Sequence, residues 1–275
     1  MGNKIIFVDI DGTLVAPGTN VPPESALKAI KSAQKKGNKV FLCSGRNYDM
    51  LKPLLKYGFD GIVASAGGYV MIGDELIYDC PMTNEQRDIA IKALHKHGVF
   101  CTLEAASGSW GDSDLKDFIA EQGEGNSEIE RWRKALAEDL HIRPFEEYDG
   151  TPVYKIVIMC REMSQLDEAK ELLKDDFNFV MQIVPLHGNC VNGELINYKF
   201  NKGTGVKLVA EKLGIPLEDT YGFGDSMNDL EMIEAVGTSV CMENGAAPLK
   251  EISDMVCPAV DDDGLAAAFE QLDLS

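Results

Sequence analysis

The stretch that decides the fold is Lys4-Ile5-Ile6-Phe7-Val8-Asp9-Ile10-Asp11-Gly12-Thr13-Leu14. Ile5 to Val8 form a continuous apolar run, the pattern of a parallel strand buried on both faces. The run ends in two carboxylates, Asp9 and Asp11, with one residue between them. In extended chain, side chains at i and i+2 point to the same side. Both carboxylates are therefore expected to face one spot at the C-terminal end of the strand. Gly12 lets the backbone turn sharply and approach a ligand closely. Ligands of open α/β sheets bind outside the carboxyl ends of the strands.

Outward from this strand, Pro22-Pro23-Glu24 open a helix that Gly37 stops. Lys39 to Cys43 form a second apolar strand ending in Ser44-Gly45-Arg46, and after a helix to about Tyr57 a third strand covers 61–65. This is a βαβαβ unit with a parallel sheet. Two short runs around Gly73-Asp74 predict a hairpin. The rhythm changes near Pro81. Thr83-Asn84-Glu85-Gln86 is a capping box opening a helix to Gly98. Strands are expected at 99–104, 153–160 and 179–184, and a capped helix at 164–173. A loop with a short helix is expected over 107–128, and helix over 130–140. The βα rhythm returns at Lys202, with helices at 202–213, 228–234 and 264–272 and strands at 220–224 and 238–242. The expected architecture is α/β, a Rossmann-like doubly wound parallel sheet with an inserted α+β cap. The core is expected at 1–82 and 196–275, the insert at 83–195.

Composition narrows the function. Of 275 residues, 45 are Asp or Glu against 26 Lys or Arg, a formal net charge of −19. So acidic a chain argues against nucleic-acid and anionic-membrane partners. An anionic substrate would need a local cation. No apolar run reaches the length of a membrane span. The N-terminus enters a strand almost at once, which leaves no room for a signal peptide. The seven cysteines are scattered without a C-x-x-C pair, as expected of buried thiols in a reducing cytoplasm. His95 and His97 stand two apart on an expected helix, a spacing that does not put them on one face for a metal.

Polar residues collect at strand ends and helix starts of the βα parts: Asp9 and Asp11, Ser44, Lys202, and Gly224-Asp225-Ser226-Met227-Asn228-Asp229. In a parallel sheet these points share one edge. Chemistry on a phosphate monoester needs a nucleophile, an acid for the leaving oxygen and positive charge around the phosphoryl group. Asp9 and Asp225 can offer carboxylates to one Mg2+, and Lys202 a compact positive charge. Ser44 and the amides of the Gly12 turn can donate to phosphoryl oxygens. Asp11 can serve as general acid and base if acidic neighbours raise its pKa.

These segments resemble the motifs of the haloacid dehalogenase superfamily, in particular its Cof-type branch with a large α/β cap. Phe7-Val8-Asp9-Ile10-Asp11-Gly12-Thr13-Leu14 resembles the first motif and Ser44-Gly45-Arg46 the second. Asn201-Lys202-Gly203 resembles the third, Asp225-Ser226-Met227-Asn228-Asp229 the fourth, and Met242-Glu243-Asn244-Gly245-Ala246 the segment after it. The resemblance implies a Mg2+-dependent phosphatase of a small phosphorylated metabolite, a sugar phosphate first. Asp9 would be the nucleophile that becomes aspartyl-phosphate, and Asp11 the acid/base whose carbonyl joins Asp9 and Asp225 on the metal. Ser44, Gly45, Lys202 and Asn228 would bind phosphate, with Asp229 and Arg46 in support. Ala66-Gly67 stands where the branch commonly has Asn-Gly. Two other functions fit the same motifs: a phosphomutase, which would need convergent arginines in the insert, and a regulatory module without turnover. Trp110 and Arg131 are candidate substrate contacts.

Overall fold

The computed structural model describes residues 3–121, 142–182 and 190–275. They form two compact units, one of Met1–Arg46, Leu51–Asp79 and Phe200–Ser275, the other of Asn47–Met50 and Cys80–Lys199.

In the first unit, with strands numbered in chain order, the sheet runs β14 (Met255–Cys257), β13 (Thr238–Met242), β12 (Thr220–Gly224), β1 (Ile5–Val8), β2 (Lys39–Cys43), β3 (Gly61–Ala64), β4 (Tyr69–Ile72), β5 (Glu75–Asp79). All pairs from β14 to β3 are parallel, and the β4–β5 hairpin is antiparallel. The chain lays strands to one side of β1, then returns to lay β12 to β14 on the other. The order reverses at β1, and an open crevice forms at such a switch point. β1 is buried along its whole length, as its unbroken apolar run requires. One face of the sheet packs Ile5, Phe7, Phe41 and Val63 against Val206 and Val209 of α6 (Lys202–Leu213) and Met232 and Ile233 of α7 (Leu230–Ala235). On α1 (Glu24–Lys35), Ala26, Ala29, Ile30 and Ala33 repeat at i, i+3, i+4 and i+7 and are buried on one stripe. Each fully buried Ile or Phe contributes about 1.5–3 kcal/mol.

The second unit is a six-stranded sheet in the order β10 (Phe177–Gln182), β11 (Val191–Asn197), β9 (Val153–Cys160), β6 (Phe100–Ala105), β7 (Gly108–Gly111), β8 (Ile142–Pro144). β9 shows why both its faces are apolar. Ile156 and Ile158 pack under α3 (Asn84–Lys96) and α5 (Asp167–Leu173), while Val157 and Met159 pack under α4 (Leu115–Glu121) on the opposite face. The Thr83 capping box is present: Thr83 Oγ1 accepts from Gln86 N at 3.1 Å and Gln86 Oε1 from Thr83 N at 2.9 Å.

Four details differ from the sequence reading. Gly108-Ser109-Trp110-Gly111, expected as loop, is a strand between β6 and β8. Glycine suits it because a β-carbon at Gly111 would press on Ile142 and Thr102. Trp110 is fully buried, its Nε1 donating to Glu147 O at 3.2 Å, with the Arg143 guanidinium 3.7 Å from the ring centroid. It is a packing residue, not an exposed substrate contact. The helices expected from 164 and 228 begin as 3-10 turns, Met163–Leu166 and Met227–Asp229, and become α-helical at Asp167 and Leu230. The short β14 and α8 (Ala247–Ile252) had no clear sequence period because each is too brief to show one. Arg131 and the whole helix expected over 130–140 lie outside the described residues. No described helix is long and apolar enough to cross a membrane.

Candidate active site

β1 ends at Val8 and Asp9 follows it, its amide still tied to β12 by a 2.9 Å bond to Phe223 O. Asp9 is buried, and Oδ1 accepts from Lys202 Nζ at 2.6 Å. Lys202 opens α6. Asn201 Oδ1 caps that helix by accepting from Thr204 N at 2.8 Å, which fixes where Lys202 starts. The ammonium also donates to Asp229 Oδ1 at 2.6 Å and Asn228 Oδ1 at 3.1 Å. Its three N–H donors are thus all engaged.

Asp229 is the hub of the β12 side. Fully buried, it accepts from Asp225 N at 3.0 Å and Ser226 N at 3.1 Å through Oδ2, besides Lys202 through Oδ1. This reciprocal cap is what turns the chain after β12 and presents Asp225. The carboxylates of Asp9, Asp225 and Asp229 lie within 4.8 Å of one another. Three carboxylates against one ammonium leave two negative charges in excess. The strain shows in the pKa values. Burial first, and Asp229 second, push Asp225 up to about 6. Burial and then Asp229 push Asp9 well up despite Lys202. The donor set is all oxygen, and a hard divalent cation is what it lacks for charge balance. The residues fit one.

Asp11 does not join this cluster, contrary to the i, i+2 argument. The extended chain ends before it. Gly12 N bonds Val15 O at 2.8 Å and Leu14 N bonds Ile10 O at 3.0 Å, so residues 10–15 turn. The Asp11 carboxylate is instead clasped by Arg46, at 2.9 Å from Nε and 2.7 Å from Nη2. Asp11 is thus paired with a guanidinium, while its charge also bears on Asp225. The same turn engages the amides of Gly12 and Thr13, the latter to Ile10 O at 3.3 Å, so neither is free for a phosphoryl oxygen.

Ser44 is buried at the end of β2, its amide on Val63 O at 2.8 Å and its Oγ accepting from Arg46 N at 3.2 Å. Gly45 lies between them in the turn. Two groups that the sequence reading did not single out complete the site. Thr13 Oγ1 donates to Asp225 Oδ1 at 3.2 Å. Asn244 Nδ2 donates to Gly12 O at 2.8 Å, while Ala246 N donates to Asp225 O at 2.7 Å. The loop after β13 therefore braces both Gly12 and Asp225. Gly12 has φ +87° and sits so close that a β-carbon would collide with the Asp225 carboxylate. Only glycine fits there. The Thr13 signal lay within the first motif, and the Asn244 signal in the segment after the fourth.

The described arginines of the second unit each have partners of their own. Arg87 holds Asp88 and Asn84, Arg143 reaches Ser107 O, and Arg161 pairs with Glu121. Arg133, like Arg131, lies outside the described residues.

The profile of the haloacid dehalogenase-like hydrolase family matches residues 6–269. The protein YkrA of Bacillus subtilis (strain 168) is 30% identical over 277 residues, covering 100% of this chain and 99% of its own. From the same organism, the 5-amino-6-(5-phospho-D-ribitylamino)uracil phosphatase YwtE is 29% identical over 284 residues, with 98% of each chain covered. A crystal structure of a protein from Geobacillus kaustophilus HTA426 superposes with a TM-score of 0.80 at 28% identity, covering 100% of both chains.

Proposed function

The chain belongs to the haloacid dehalogenase-like hydrolase family and is a phosphatase, and on that premise we propose that it is a Mg2+-dependent phosphomonoesterase of small phosphorylated metabolites, acting through an aspartyl-phosphate on Asp9. The observation that carries this reading is the placing of Asp9 at the switch point of the sheet, gripped by Lys202 and within 4.8 Å of Asp225 and Asp229.

In the first step an Asp9 oxygen bonds to phosphorus, the ester P–O bond breaks, and the leaving oxygen takes a proton. Asp11 is the proposed donor, and the Arg46 fork fixes where its carboxyl stands. In the second step water bonds to phosphorus, gives a proton to Asp11, and the Asp9–phosphorus bond breaks, releasing inorganic phosphate. Lys202 is positioned to pass a donor from Asp9 Oδ1 to a phosphoryl oxygen, and the Ser44 hydroxyl and Gly45 amide to donate from the β2 side. Mg2+, held by Asp9, Asp225 and the Asp11 carbonyl, would neutralise the charge excess and draw charge off the phosphoryl oxygens.

A sugar or sugar-alcohol phosphate is the proposed substrate class. YwtE, which matches along nearly the whole chain, is named for a phosphate carried on a ribityl chain. We place recognition of the non-phosphate part in the unit formed largely by Cys80–Lys199. A cytoplasmic location agrees with seven cysteines that are all free thiols. The test is phosphate release from a panel of sugar phosphates and p-nitrophenyl phosphate, with Mg2+ and with EDTA, for the parent and Asp9→Asn. Turnover is expected only in the parent with Mg2+. Near-normal release by Asp9→Asn overturns the nucleophile, and full activity in EDTA overturns the metal.

A further inference from the structure

We propose that the second unit carries a metal site of its own, formed by His95, Cys101 and Asp112 and suited to Zn2+. His95 lies in the last turn of α3, Cys101 is the second residue of β6, and Asp112 follows β7 directly. The ligand atoms of all three lie within 4.8 Å of one another. A tetrahedral zinc with bonds of about 2.0–2.3 Å sets its ligands about 3.3–3.8 Å apart. Binding would draw the three together by up to about 1.5 Å. His97, just past the end of α3, is taken up instead by Glu168 at 2.6 Å. The partners of His95 come from β6 and from the residue after β7.

The donors are already oriented. Asp112 Oδ2 accepts from Cys101 N at 2.7 Å and meets His95 Nε2 at 3.0 Å, so the carboxylate is anchored to the backbone at the cluster. Such a hydrogen bond behind a ligand fixes its aim. Cys101 is fully buried while the His95 side chain is 36% exposed, so the site is closed on the inner side and entered past the imidazole. The Phe145 ring packs against His95 in a T-shaped arrangement, centroids 5.4 Å apart, and limits its rotation. Binding forms the sulfur–zinc bond and releases the thiol proton to water. A sulfur, a nitrogen and an oxygen form a softer set than the three carboxylates of the first unit, so the two sites select different ions. The metal would tie the end of α3 to the β6–β7 hairpin.

The test uses the full chain, stripped with EDTA and titrated near neutral pH with Co2+, which reports ligation by colour. The expected result is a thiolate-to-cobalt charge-transfer band that saturates at one equivalent and is displaced by Zn2+. Cys101→Ser should abolish it. His95→Ala, at the exposed edge where folding is safe, should weaken binding by about tenfold or more. Asp9→Asn should leave the band intact, which separates this site from the acidic cluster. Absence of the band in the parent overturns the proposal. So does a band that survives Cys101→Ser, or one whose titration is unchanged in His95→Ala.

Discussion

Arg46 clasps Asp11 with two parallel bonds, Nε to Oδ2 at 2.9 Å and Nη2 to Oδ1 at 2.7 Å, in a turn where Asn20 Oδ1 also receives Nη1 at 2.6 Å. Two residues earlier in the chain, Asp9 is held by Lys202 instead. The two carboxylates of the Asp-x-Asp pair thus have separate cationic partners, and the roles proposed for them can be separated by mutation.

Arg46→Lys keeps the charge but loses the planar fork that fixes Asp11. Misplacing an acid costs most where the leaving oxygen needs a proton. We expect kcat on a sugar phosphate to fall by about 10- to 100-fold, with a much smaller loss on p-nitrophenyl phosphate, whose leaving group departs unprotonated. Steady-state rates on both substrates check this, and an equal loss on the two refutes it.

Lys202→Met preserves most of the volume but leaves Asp9 and Asp229 buried without their ammonium. Removing one partner of a buried pair costs about 3–5 kcal/mol. The urea midpoint should drop accordingly in metal-free protein and recover in part when Mg2+ is added. A midpoint matching the parent in EDTA would contradict the electrostatic account of the cluster.

Ala66 has φ +57° and ψ +27°, beside Ser65 at φ +49°. The left-handed region costs an L-residue with a β-carbon roughly 1–2 kcal/mol, and Asn tolerates it better. Ala66→Asn is therefore expected to stabilise by about 0.5–1 kcal/mol. The turn is worth rigidifying, since Ala66 N bonds Ser44 O at 3.0 Å and Ser65 N bonds Arg46 O at 2.8 Å. Denaturant titration decides it, and a lower midpoint for Ala66→Asn is the adverse outcome.

Asp254 accepts from Ser239 N at 2.8 Å and Ser239 Oγ at 2.7 Å, and these bonds hold its carboxyl below the ordinary value of 3.8. A folded pKa lower than the unfolded one gives stability that is present above 3.8 and lost as pH falls through the depressed folded value. The parent should therefore exceed Asp254→Asn in stability at neutral pH, with the advantage shrinking below that value. Melting temperatures of both chains across acid pH test the sign. An advantage that grows on acidification would show that the bonds do not favour the carboxylate.

The amino-acid order alone determined where β1 stops, because an unbroken apolar run followed by Asp9 can end in only one way against a buried sheet. It also determined the α1 stripe, the Thr83 cap and the return of βα rhythm at Lys202, all of which are periods or caps spanning a few residues. Tertiary structure decided who meets whom. Lys202 reaches Asp9 across 193 positions and Asn244 reaches Gly12 across 232, distances over which no local pattern operates. Strand order, by laying β12 beside β1 and β13 beside β12, brings the segments that carry both contacts together. The pairing of Asp11 with Arg46 rather than with Asp9 arose the same way. A turn at residues 10–15 broke the two-residue alternation on which the sequence argument relied, and β2 delivered a guanidinium to the side chain so released. Burial of Trp110 likewise required β6 and β8 on either side of a strand whose glycines conceal its period. Local order sets which backbone forms. The neighbours that set a carboxylate's charge and an indole's exposure come from chain folded back from far away.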